Sequence, residues 1–141
     1  MFPDEKHFYL NIRGYSYYYR GDYSTAIGYF RKVVELVIDY PDMSWALNLS
    51  YLNLSDCFLQ LNKTDSVVKY LELCQPFFEE LGSTTALYYI DTQKIELALQ
   101  CKDFAEARRL LAMSKASPEI DADMIHIRNK YMQQFYEETG N

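Results

Sequence analysis

Three stretches of this chain align on one another without a gap, and that repetition limits the fold more than any other feature. They are YYYRGDYSTAIGYF (Tyr17–Phe30), FLQLNKTDSVVKYL (Phe58–Leu71) and ALQCKDFAEARRLL (Ala98–Leu111). The alignment places Ala26, Val67 and Ala107 in register, 41 and then 40 residues apart, with Phe30, Leu71 and Leu111 four residues further on. Almost no segment alternates with period two, whereas long segments carry apolar residues at i, i+3, i+4 and i+7. A steady period near forty in such a chain is the pattern of stacked helix pairs. Each pair has an apolar face that it cannot bury alone and buries on the next.

The apolar spacing predicts helices over about 8–19, 23–38, 42–61, 64–81, 83–101, 104–116 and 120–138. Breaks fall at Arg20-Gly21-Asp22, Pro41, Asn62-Lys63-Thr64, Gly82, Lys102-Asp103 and Pro118, all turn or helix-stopping chemistry. The expected fold is therefore all-α and a single domain. It has three antiparallel helix pairs, over about 7–42, 43–82 and 83–118, plus a seventh helix. Pro76 lies inside the fourth helix, where its missing N–H should kink the chain. The end, QQFYEETGN, aligns Gly140-Asn141 with the earlier turns, so the seventh helix reads either as a cap or as half of a fourth repeat in a longer protein.

With 141 residues and 49% hydrophobic content the chain can bury a real core. The net charge of −6, with no basic cluster to offset it, argues against nucleic acid as a partner. No apolar run approaches the roughly 18–20 residues a bilayer requires, so membrane insertion by this segment is not expected. The start, MFPDEKHF, shows no signal-peptide pattern. Cys57, Cys74 and Cys101 form no CxxC and sit in apolar helical surroundings, which reads as small buried hydrophobes. His7 and His126 stand at opposite ends without neighbouring ligands. No nucleophile elbow, P-loop or dinucleotide fingerprint is present, so neither a catalytic residue, a metal site nor a cofactor is expected.

The first copy resembles the tetratricopeptide repeat (TPR) family. Gly14 followed by Tyr17, then Gly21-Asp22-Tyr23, then Ala26 followed by Phe30 match the family's spacing. Ser55 and Ile95 replace the glycine in the later copies, Val67 replaces the alanine, and the period exceeds the family's usual ~34 residues. The resemblance implies a right-handed helical solenoid whose first helix of each pair lines a concave face. The phrases YLNLSDCFLQLNKTDSVVKYLELCQPFFEELG, TALYYIDTQ and DFAEARRLL are further similar to the TPR regions of Bacteroidetes-type histidine kinases and helix-turn-helix regulators. That likeness implies a non-catalytic sensing or scaffold region of a bacterial signalling protein. It would be periplasmic if the likeness holds and cytoplasmic otherwise, and no output domain lies in this chain.

On the presumed concave helices, Asn53, Asp56 and Gln60 share one face, and Gln93, Glu96 and Gln100 repeat the pattern 40 residues on. The first helix contributes Tyr15 and Tyr19 beside Ile12. Amides can pair with a peptide backbone and the acids with basic side chains, so a protein or peptide partner is expected there. The plain alternative is the wet side of an amphipathic helix. The TPR positions that clamp a chaperone's terminal carboxylate hold Asn11, Tyr15, Leu52, Asp56, Thr92 and Glu96 here, an acidic set that would repel such a peptide. A second expectation is small-ligand or glycan binding on Tyr15, Tyr18, Tyr19, Tyr88 and Tyr89. A third is self-association through the terminal helix.

Overall fold

The computed structural model describes residues 3–113 and 122–140, and among them there is no strand. Seven α-helices follow in order: α1 (Pro3–Tyr19), α2 (Tyr23–Val37), α3 (Ser44–Gln60), α4 (Thr64–Leu81), α5 (Thr84–Gln100), α6 (Phe104–Met113) and α7 (Ala122–Thr139). A single 3-10 turn, Pro41–Met43, delays the start of α3 relative to the sequence expectation. α1 begins five residues before the first apolar-periodic residue, with Pro3 in its first position, where a missing N–H is no loss. The stop expected at Pro118 lies outside the described residues. No helix among the described residues is long and apolar enough to cross a membrane.

The three hairpin turns are copies of one another. Gly21, Asn62 and Lys102 each take a left-handed backbone, with φ of 81°, 58° and 57°. In each, the next residue's N–H reaches back to close the helix: Asp22 to the Tyr17 carbonyl at 2.9 Å, Lys63 to Phe58 at 2.9 Å and Asp103 to Ala98 at 2.8 Å. This pairing satisfies carbonyls that a helix end would otherwise leave orphaned. Asp22 and Asp103 then cap the following helices, each accepting a hydrogen bond at 3.2 Å from the backbone N–H three residues on. Glycine and asparagine suit a positive φ, whereas Lys102 holds it with an ordinary side chain.

The chain packs as two compact units, Met1–Phe77 and Phe78–Asn141, where the sequence reading has one domain. The division falls inside α4, one residue past Pro76. Having no N–H, Pro76 leaves the Glu72 carbonyl without its helical donor.

In the first unit one cluster is built from Ala26, Ile27, Phe30, Leu54 and Cys57, and another from Leu10, Val33, Val37 and Ala46. The tyrosine-rich stretch packs largely against itself and its neighbours. Tyr15 meets Phe30 edge-on at 5.4 Å, Tyr17 stacks on Tyr29 at 5.5 Å, and Tyr18 meets Tyr23 at 5.4 Å. Phe58 and Tyr70 stack between α3 and α4 at 5.7 Å. In the second unit Ile95, Ala98, Leu99, Ala107, Leu110 and Phe135 form the core. The three aligned positions Ala26, Val67 and Ala107 are all fully buried.

Cys57 and Cys74 are buried, but Cys101 is exposed, which corrects the expectation that all three are buried. It caps α5 one residue before the left-handed Lys102, where the turn faces solvent.

Among the glycines, Gly14 makes the closest contact with a neighbouring helix. A Cβ built there would lie 2.6 Å from Phe30 Cε1, and Phe30 is fully buried and cannot retreat. Gly28, on α2, has nothing within 4 Å of the same imagined atom. Gly14→Ala should therefore lower stability by about 1–3 kcal/mol through overpacking. Gly28→Ala should raise it by about 0.5–1 kcal/mol through helix propensity. Urea denaturation of both variants checks the pair, and equal shifts would remove the special role of Gly14.

Candidate functional site

In the first unit, α1 and α3 meet through two tyrosine bonds at one common spacing. Asn53 Nδ2 donates to the Tyr15 hydroxyl at 2.8 Å, and the Tyr18 hydroxyl donates to Asp56 Oδ2 at 2.8 Å. Both pairs are 38 residues apart, so an i, i+3 pair on α1 meets an i, i+3 pair on α3. Gln60, one turn along, donates to Asp56 Oδ1 at 3.2 Å. Asp56 is only 7% exposed, and each of its carboxylate oxygens accepts a hydrogen bond. A carboxylate buried to that degree is tolerable only when so bonded.

These bonds shift the titration of their members. Burial, then the charge and bond of Asp56, push the Tyr18 phenol well above the usual tyrosine range. Burial also raises Tyr15, against the opposing hydrogen bond from Asn53. Cys57, beside Asp56, is pushed up to about 12 by burial and then by that charge. All three effects favour the neutral form.

The second unit repeats the theme between α5 and α7. The Tyr131 hydroxyl donates to Glu96 Oε2 at 2.6 Å. One turn away Arg128, 5% exposed, donates from Nε and Nη2 to Thr92 Oγ1 and from Nη2 to the Tyr88 carbonyl at 2.9 Å. Its guanidinium lies over the Tyr88 ring, 3.9 Å from the centroid. Burial holds Arg128 below the ordinary arginine range, with Tyr88 and Asp91 acting the other way.

Five of the expected site residues are thus committed within the chain: Tyr15, Asn53, Asp56 and Gln60 in the first unit, Glu96 in the second. Gln93 is buried and Gln100 is exposed. Tyr19, 81% exposed, is the most open ring of the set. On α7, Gln133 and Gln134 donate to Glu137 and Glu138 at 3.0 Å.

Sequence reasoning missed Tyr18, Arg128 and Tyr131 as partners of the stripe. The matched i, i+3 spacings of Tyr15/Tyr18 and Asn53/Asp56 were a usable signal. Nothing comparable marks Arg128. Compared with known protein families, characterised proteins and solved structures, the chain matches none.

Two outcomes follow. Tyr18→Phe removes a hydrogen bond to a partly buried carboxylate and should cost about 1–3 kcal/mol. The raised tyrosines favour the protonated fold, so their contribution is intact below about pH 10, the unfolded pKa, and is lost as the pH rises beyond it. Denaturation midpoints between pH 8 and 11 should therefore fall more steeply for the native chain than for Tyr18→Phe, and identical slopes would contradict the assignment. Separately, a thiol reagent at neutral pH should label Cys101 at once and Cys57 and Cys74 only on unfolding.

Proposed function

We propose that this chain is a non-catalytic helical-repeat module of TPR type that binds a protein or peptide partner. The observation that carries the reading is the turn set at Gly21, Asn62 and Lys102, one repeat apart and alike in backbone and hydrogen bonding. Regular turns of this kind support a stack of equivalent hairpins, and such stacks serve as recognition surfaces. The phrases similar to bacterial signalling proteins support a sensing or scaffold role within a longer regulator. The same resemblance supports a periplasmic place for it.

The binding face is narrower than the sequence stripe. Asn53 and Asp56 act mainly in joining α1 to α3, so a partner in the first unit meets Tyr19 and the half-exposed Gln60. The glycan reading has less support. Of its five tyrosines, Tyr88 is buried, Tyr15 and Tyr18 spend their hydroxyls on neighbours and Tyr89 is half-buried, which leaves one wide ring at Tyr19.

Selection from a phage-displayed peptide library tests the module. Peptides enriched on the native chain should bind Tyr19→Ala/Gln60→Lys at least about tenfold more weakly, with helicity retained. A library that yields no peptide, or peptides held equally by the variant, would overturn this face. A thermal shift with an oligosaccharide panel would replace it by the glycan reading.

A further inference from the structure

A second set of α1 side chains lies outside the stripe. Tyr9, Arg13 and Tyr17 follow at i, i+4 and i+8, Arg20 stands in the turn, and α2 adds Tyr29 and Lys32. These six form one connected ladder. The Arg13 guanidinium carbon lies 5.8 Å from the Tyr9 ring centroid and 5.7 Å from that of Tyr29. Lys32 Nζ lies 5.1 Å from the same Tyr29 ring. Tyr29 stacks on Tyr17 with 9° between the planes, and the Arg20 guanidinium lies 5.2 Å from Tyr17.

Rings orient these cations without neutralising them. Arg13, Arg20 and Lys32 are all exposed, and none forms an ion pair with a described residue. Two acids close in sequence to Arg20 and Lys32 are otherwise placed. Asp22 caps α2 through Thr25, and Glu35 lines an open hollow with Lys6 and Lys32 without bridging to either. A chain of net charge −6 therefore gathers, on two neighbouring helices and the turn between them, three cations that form no salt bridge with a described residue. Each arginine has five N–H donors in the guanidinium plane; Arg13 directs part of its fork to the Tyr29 side chain, and the remaining donors can meet a carboxylate.

From this arrangement we infer that the Tyr9–Arg13–Tyr29–Lys32–Tyr17–Arg20 ladder is a docking surface for an acidic peptide segment. The segment is extended and presents carboxylates along one side. Arg13 and Arg20, seven residues apart, are separated by about 10 Å along the helix axis. Alternate residues of an extended strand place carboxylates about 7 Å apart, so two or three of them reach the set. Nucleic acid fits less well. A base needs a free aromatic face, whereas Tyr17 and Tyr29 cover one another and carry the cations, and the net charge repels a polyphosphate.

Fluorescence anisotropy with a labelled peptide of four Glu-Gly units tests the surface, with a Gln-Gly peptide and an eight-nucleotide oligothymidine as the other probes. The acidic peptide should bind, weaken with added salt, and lose at least about tenfold in affinity on Arg13→Gln/Arg20→Gln/Lys32→Gln. Lys63→Gln/Lys102→Gln/Lys130→Gln makes the same charge change elsewhere on the exposed surface and should bind as the native chain does. Circular dichroism keeps a folding defect distinct, and Arg13→Lys, which retains charge without the fork, should fall between the two. No preference for the Glu peptide over the Gln peptide would overturn the inference. So would equal losses in the two triple variants, or tighter binding of the oligothymidine. Because the ladder shares no residue with Tyr19 or Gln60, failure here leaves the proposed peptide face standing, and the reverse also holds.

Discussion

One backbone requirement recurs at three turns of this chain: each reverses direction through a residue with positive φ. Gly21, Asn62 and Lys102 meet it at matching points of successive repeats. Closing each turn with the same pair of backbone hydrogen bonds fixes where the second helix begins relative to the first. That register brings Ala26, Val67 and Ala107 to fully buried positions and puts Phe30 against Gly14. A slip of one residue would rotate the second helix by about 100° and bring a different face inward.

Burial between helices then governs the polar residues. The stripe on α3 does not stay wet, because Asp56 and Asn53 are joined to the α1 tyrosines. In the second unit Glu96 and Thr92 are held by α7 in the same manner. A buried acid or amide is costly unless bonded, so these tyrosine partners are what make polar residues compatible with the packing. They also make the contact selective, since an apolar surface alone would tolerate more than one register. Exposed and half-exposed side chains accordingly lie at the margins of these bonds, at Tyr19 and Gln60 and on the cation–tyrosine ladder of α1 and α2.

Much of this was legible in the residues. Helix existence followed from apolar spacing, and turns from Gly21, Asn62 and Lys102. The start of α1 was not, because its first turn is polar and carries no periodic signal. The exposure of Cys101 was missed because a thiol reads as apolar whatever side of a cap it occupies. Of the tyrosine cluster, local spacing could not show that Tyr17 and Tyr29 stack with Arg13, Lys32 and Arg20 around them.

By itself the sequence determined an all-α chain of helix pairs, since periodicity and turn chemistry are local and leave little alternative. The tertiary structure alone decided which polar residues face a partner helix and which face water. A stripe at i, i+3 and i+7 looks the same in both settings, and only the neighbouring helix, 38 residues away in the chain at Tyr15 and Tyr18, distinguishes an open face from a bonded one.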